Sequence, residues 1–218
     1  MSGDFLPEGT LRGLPGPLPA GERLLWQGAP TIAGLLVRVF HARLVIAWFG
    51  LCALAFGLAA GSPAAALAAV GPILLVGAGA LALLWVLAWL THRTTVYTVT
   101  TRRVVLQAGI ALPVTHNLPF AQIETAALRA FTDGTGDVPL RLRPGLRIAY
   151  LQLWPHARPW RLTRTEPMLR SVPEADAVAG ILARALEAHV DASEQALPVI
   201  VSRARAVQEN SGRLVAAE

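Results

Sequence analysis

The sequence predicts a membrane protein of the α+β class: a transmembrane hairpin of two helices, then a cytoplasmic β-sandwich or barrel closed by a C-terminal helix. Three observations predict it. From Leu44 to Thr91 the chain runs for 48 residues without an Asp, Glu, Lys or Arg. Beyond that run, short segments rich in Val, Thr and Tyr alternate with Gly, Pro, Asn and Asp, the spacing of strands and turns. Finally, Ser171-Val172-Pro173-Glu174 has the form of a helix capping box, and apolar residues at helical spacing follow it.

Composition agrees. Of 218 residues, 54% are hydrophobic and 15% charged, against about 25% charge in soluble domains. Most of the deficit lies in the uncharged run, so the chain is neither a purely soluble protein nor a disordered one. All 19 basic residues are Arg, which removes Schiff-base chemistry, since that needs a Lys amine. The lone Cys52 can form neither an intrachain disulfide nor a cysteine-based zinc site. A net charge of +5, carried by scattered Arg residues, suits anionic lipid headgroups rather than nucleic acid, which calls for a dense basic stripe.

Residues 1–30 read as a Pro- and Gly-rich leader. Pro7, Pro15, Pro17 and Pro19 break any apolar core of the kind a signal peptide needs. Over 31–43 the apolar positions Ile32, Leu35, Leu36, Val39 and Phe40 recur at helical spacing, with Arg38, His41 and Arg43 opposite. That pattern predicts an amphipathic helix lying along the membrane surface.

The stretch 44–91 decides the topology. As one helix it would extend about 72 Å, more than twice the ~30 Å hydrocarbon core, so it must fold back. Gly61-Ser62-Pro63 is the place, giving helices over 44–60 and 66–90, with Pro72 kinking or starting the second. Arg38, Arg43, Arg93, Arg102 and Arg103 flank the hairpin and its loop carries no charge, so both termini are expected in the cytoplasm of a bacterial inner-membrane protein. Trp48, Trp85 and Trp89 sit where an aromatic belt belongs, and with Arg38, Arg43 and Arg93 they are the expected interfacial anchors. Ala53, Gly57 and Gly61 recur every four residues and form a candidate helix-packing face. Its partner is the second helix of the hairpin, a client, or another copy of the chain.

Residues 92–190 predict a second unit. Strands are expected at Thr94–Thr100, Val104–Ala108, Leu112–Thr115, Ile123–Phe131, Val138–Arg143, Leu146–Leu153 and Arg161–Thr165. One helix then presents Val178, Ile181, Leu182, Ala185, Leu186 and His189 on a single face. Residues 191–218 form an Ala-rich tail, expected to be mobile, with an apolar patch at Leu197–Val201.

No catalytic constellation stands out, and no enzyme activity, cofactor or metal is expected. The phosphate-loop, zinc-protease, nucleophile-elbow and dinucleotide signatures are all missing. Asp133-Gly134-Thr135-Gly136-Asp137 contains alternate carboxylates, as calcium loops do, but lacks the rest of such a loop; a hairpin turn is the better reading. His41 and His92 border the hairpin, where an imidazole reads as an interfacial polar group rather than a pigment ligand.

Three segments carry a resemblance. Gly21-Glu22-Arg23-Leu24-Leu25-Trp26-Gln27-Gly28 precedes the hairpin, Tyr97-Thr98-Val99-Thr100-Thr101-Arg102-Arg103 follows it, and Leu118-Pro119-Phe120-Ala121-Gln122-Ile123 comes next. Together they resemble bacterial membrane proteins with a pleckstrin-homology-like domain, which implies two packed antiparallel sheets capped by one helix. Within that family, the Pro-rich lead Leu14–Glu22, the segment Phe40-His41-Ala42-Arg43 and the order of parts are similar to assembly proteins of photosynthetic complexes. The resemblance implies a non-enzymatic role whose partners are reaction-centre subunits and core antenna polypeptides. A generic envelope-stress or secretion protein of the same family is the alternative.

Overall fold

The computed structural model describes residues 12–14, 16–145 and 148–193. In chain order it contains strand β1 (Leu24–Gly28), a short helix α1 (Ile32–Gly34) continued by a π-helical turn (Leu35–Val39), and helices α2 (Ala42–Ala59) and α3 (Pro63–Thr94). Strands β2 (Val96–Thr100), β3 (Arg103–Ala108), β4 (Val114–Pro119), β5 (Ile123–Ala126), β6 (Arg129–Ala130) and β7 (Gly136–Leu142) follow. A helical turn α4 (Tyr150–Leu153), strand β8 (Met168–Val172) and helix α5 over 175–193 complete it.

The reversal falls where Gly61-Ser62-Pro63 puts it. Ser62 caps α3, its Oγ accepting the Ala65 amide at 3.3 Å, and Pro63 occupies the first turn, where its missing N–H costs nothing. Both helices are long and apolar enough to cross a membrane. Their lengths differ from expectation. The 18 residues of α2 extend about 27 Å, while the 32 of α3 extend about 48 Å, one helix that continues through Pro72. A Cβ added at Gly57 would lie 3.3 Å from Val70 Cγ2, and one at Gly77 would lie 3.0 Å from the Phe49 ring. These two approaches set the antiparallel register. Continued downward, it brings the start of α2 at Ala42 level with Trp85, so α3 projects past α2 by more than two turns.

That projecting part is built into the domain. Ala88 and Thr91 are buried, and His92 Nδ1 donates to the Pro30 carbonyl at 2.7 Å. Only Thr95 separates α3 from β2, the strand that enters the first sheet. This sheet has the order β1-β2-β3-β4, all antiparallel, with Leu24 opposite Thr100 and Val96 opposite Gln107. A second sheet is built on β7, which pairs with β5 and β6 along one edge and β8 along the other. Tyr97, Val99, Leu106, Leu118, Leu140 and Leu169 fill the space between the sheets. Val178, Leu182 and Ala185 of α5 close it from one side, as their spacing predicts. His189 ends that face with its ring 5.9 Å from Phe120. At about 1.5–3 kcal/mol per buried large aliphatic side chain, this core is the main stabilising term of the domain.

Several expectations are corrected. The leader does not end at residue 30 as a separate unit, because Leu24–Gly28 is an edge strand of the domain's own sheet. Glu22 anchors it: its Oε1 and Oε2 accept Arg103 Nε and Nη2 at 2.7 and 3.0 Å. Burial alone would raise the Glu22 pKa, yet the Arg103 and Thr100 hydrogen bonds outweigh it and lower it. The segment 31–43 is not one surface helix either. It breaks at His41, which takes a left-handed conformation (φ 52°) before α2 begins. Its apolar face covers protein rather than lipid: Leu35 is fully buried, Thr31 donates its amide to the Ser171 carbonyl at 2.9 Å, and Gly34 packs on Ser171.

In the second sheet, Ile123–Phe131 is interrupted, giving β5 and β6. The stretch 150–153 is a helical turn rather than a strand, while 146–147 lie outside the described residues. Arg161–Thr165 is a loop, and the last strand is Met168–Val172. Ser171 therefore sits in β8 and caps nothing; the Glu174 carbonyl accepts the Val178 amide and begins α5 instead. Residues 191–193 continue that helix, and Leu197–Val201 lies outside the described residues. Asp133–Asp137 is the expected turn, with Gly134 at φ 75° supplying the left-handed position.

The hairpin register has a direct consequence. Gly77→Leu must part the helices at Phe49 and should cost about 1–3 kcal/mol of overpacking, whereas Gly61→Leu, with open space around it, should leave thermal stability in detergent unchanged.

Candidate functional site

The structure separates the residues of the expected packing face. Gly57 faces Val70 and Ala53 is half-buried, but Gly61 lies beyond the end of α2 with nothing near it. The closest approach, at Gly77, comes from the other helix. A run of Ala and Gly in α3 offered no way to single Gly77 out, because the choice depends on where the Phe49 ring falls. The outward faces stay open. Leu44, Trp48, Leu51 and Leu58 of α2 and Leu67, Leu75, Leu83 and Trp85 of α3 are all more than half exposed, so these helices present a continuous apolar exterior.

Of the residues expected as anchors, Arg43, Trp85, Trp89 and Arg93 lie around the base of the hairpin. Arg43 is exposed on the first turn of α2. Trp85 and Trp89 stack with ring centroids 6.5 Å apart, and the Arg93 guanidinium lies 5.2 Å from the Trp89 ring centroid. Arg38 is the exception. Its Nη1 donates to Thr135 Oγ1 at 2.7 Å, its Nη2 pairs with Asp133 Oδ2 at 2.5 Å, and its guanidinium stacks 3.7 Å over Phe131. It ties the segment before α2 to the β6–β7 turn and is not a lipid anchor. Asp133 accepts the Thr135 hydroxyl and amide as well as Arg38, which holds its carboxyl down at about 2.

Beside this tie a cleft of 430 Å³ opens between the start of α2 and the α4–β8 connection. Arg38, His41, Tyr150, Trp154, Trp160 and Arg170 are among its lining residues. Phe40 meets Trp154 edge-to-face at 6.3 Å, which brings the 150–165 segment against the root of the hairpin. The sequence pattern hides this segment as a unit, because it reads as parts of two strands, Leu146–Leu153 and Arg161–Thr165. The clustering of Trp154, Pro155, Pro159, Trp160 and three Arg residues was the available signal.

Under the cleft lies a buried polar network. Tyr97 Oη accepts the Arg170 amide at 3.1 Å and contacts His156 Nδ1 at 2.7 Å; His156 Nε2 lies 3.1 Å from Thr95 Oγ1. A neutral imidazole satisfies both contacts in either tautomer, one ring nitrogen donating its proton and the other accepting a hydroxyl proton. Burial, with the Arg170 charge adding to it, drops the His156 pKa to about 3, and burial pushes the Tyr97 hydroxyl upward. Both groups are neutral at pH 7. They knit β2 to the segment before β8. Among the described residues no cluster of three His, Cys, Asp or Glu side chains could hold a metal ion.

The family model described as a bacterial PH domain matches residues 44–186, two thirds of the chain. The chain belongs to that family. The match begins at the hairpin and ends on the apolar face of α5, so β1 and the 31–43 segment lie outside it although both are built into the domain. The chain is also similar to a protein of Rhodobacter capsulatus described as an uncharacterized 23.7 kDa protein in the puhA 5' region. Identity is 37% over 197 residues, covering 86% of this chain and 89% of that one. Both findings are consistent with the PuhB-like proteins of this family. No solved structure matches the chain.

His156 predicts a pH dependence with a definite sign. Its folded pKa, about 3, lies below the unfolded value of about 6.5, so below pH 6.5 the unfolded chain binds the extra proton. Stability is complete above pH 6.5 and declines toward pH 3, by at most ~1.4 kcal/mol per pH unit. Thermal melts should therefore shift down between pH 7 and pH 5, and His156→Asn should flatten that slope while lowering the midpoint at pH 7.

Proposed function

We propose that the chain is a non-enzymatic assembly factor for the photosynthetic reaction centre and its core antenna. In this reading the hairpin spans the bacterial inner membrane and the domain and both termini are cytoplasmic. The observation that carries the reading is the relative's position in the puhA 5' region, a photosynthesis gene region.

The geometry supports the membrane part. Strand β1 precedes the hairpin, β2 follows it, and the two pair with each other, which requires both ends of the hairpin on one side of the bilayer. Arg43 and Arg93 flank that end and the Gly61-Ser62 loop carries no charge, which favours the cytoplasm for it. The outward apolar faces of α2 and α3 give membrane-spanning clients a surface to meet in lipid, where contact rests on packing rather than on the hydrophobic effect. Rigid attachment to a folded domain fixes the height and orientation of that surface. Such a protein changes how often subunits meet correctly, not what they do afterwards.

Deleting the gene should lower the amount of reaction-centre–antenna complex and leave pigment synthesis and the spectra of the complexes that form unaltered. Full-length protein should co-purify with reaction-centre or antenna polypeptides from phototrophically growing cells. Normal complex levels through the onset of phototrophic growth, with no client in the pull-down, would return the chain to a general envelope role.

A further inference from the structure

Arg170 is anomalous. It is 8% exposed, and among the described residues its guanidinium makes one hydrogen bond, from Nη1 to the Pro155 carbonyl at 3.1 Å, while Nε has no partner. A guanidinium carries five donors, and a buried charge left this open calls for a partner. Arg170 lines the cleft at the hairpin root. Arg38 and Arg129 stand at the same cleft, both against Phe131, at 3.7 and 5.5 Å from its ring centroid.

Two carboxylates oppose these three cations, and the charge of Asp137 favours the Arg170 guanidinium without hydrogen-bonding to it. Asp133 is bound by Arg38 and Thr135, and Asp137, which also lines the cleft, accepts the Ser171 amide at 2.8 Å. The balance is one positive charge with spare donors, so the cleft suits an anion.

Position selects which anion. His41, on the rim, is the residue from which α2 departs, level with Trp85 on α3. The walls are Trp154 and Trp160, 54% and 93% exposed, and Trp side chains favour the depth where apolar chains meet headgroups. Leu151 and Leu162, in the same segment, are exposed as well. A volume of 430 Å³, at the small end of ligand cavities, takes a phosphate and its polar substituent and leaves acyl chains in the bilayer. We propose that this cleft holds the headgroup of one anionic phospholipid, its phosphate on Arg170 and Arg129 and its glycerol region between Trp154 and Trp160. The inference rests on the hairpin spanning the bilayer.

Native mass spectrometry of the full-length protein, with phosphatidylglycerol and phosphatidylcholine offered together, tests it. One phosphatidylglycerol should be retained in preference. Trp160→Ala and Arg129→Gln, both at exposed positions that the fold does not need, should each lower its retention, the latter about tenfold for a lost charged hydrogen bond. Millimolar inorganic phosphate should not displace it. Equal retention of the two lipids, full retention by both variants, or displacement by free phosphate would overturn the proposal. Insertion is read separately, by labelling Ser62→Cys from outside in a Cys52→Ser background, so a chain that inserts yet keeps no anionic lipid refutes the cleft alone.

Discussion

A single residue, Thr95, joins the long apolar helix to the central strand of the sheet, and the architecture depends on that junction. The Thr95 amide continues the helix by bonding the Thr91 carbonyl at 3.0 Å, while its hydroxyl reaches His156 in the buried network. There is no linker to absorb motion. The projecting turns of α3 are packed on the domain at Ala88 and Thr91, and Pro30 is fastened to His92. Hairpin and domain thus behave as one body, and the orientation of one is given by the other.

The second attachment complements the first. On the other side of the hairpin, residues 31–39 are fixed to β8 through Thr31 and Gly34 and to the β6–β7 turn through Arg38. The chain is therefore gripped immediately before α2 and immediately after α3. Between the grips lie the cleft and the Phe40–Trp154 contact, so the same geometry that stiffens the root of the hairpin also creates a polar recess there. Arg170 and His156 show the cost of that arrangement: one is a buried cation with spare donors, the other an imidazole kept neutral by burial.

Much of this was legible in the sequence, and the exceptions share a cause. The hairpin, its reversal at Gly61-Ser62-Pro63, the strands β2, β3 and β7, and the face of α5 all follow from local pattern, since charge-free length and periodicity are properties of contiguous residues. What failed depends on distant partners. Leu24–Gly28 looks like a leader until Thr100 and Tyr97 supply its hydrogen bonds. The stripe Ile32-Leu35-Val39 looks like a membrane-surface helix because an apolar face reads the same whether it covers lipid or Ser171. Met168–Val172 carries Arg170 in its middle, which argues against a buried strand unless a cleft receives the side chain. Arg38 sits among residues typical of a lipid anchor, and only the tertiary position of Asp133 and Phe131 takes it away. Asp133–Asp137 reads as a turn and is one, because its Gly and Thr residues carry the local chemistry that makes one.

The pairing of β1 with β2 also bears on biogenesis. Leu24 leaves the ribosome long before Thr100, its partner across the sheet, and both hairpin helices are made in between. At the 5–20 residues per second typical of synthesis, the first strand waits several seconds or more with an open edge. In the membrane arrangement proposed above, it can be used only after two successive insertions have returned the chain to its starting side. A chain that inserted one helix, or three, would strand its two halves on opposite faces of the membrane with no first sheet between them. In that arrangement, closure of this sheet acts as a parity check on insertion, made by backbone hydrogen bonds.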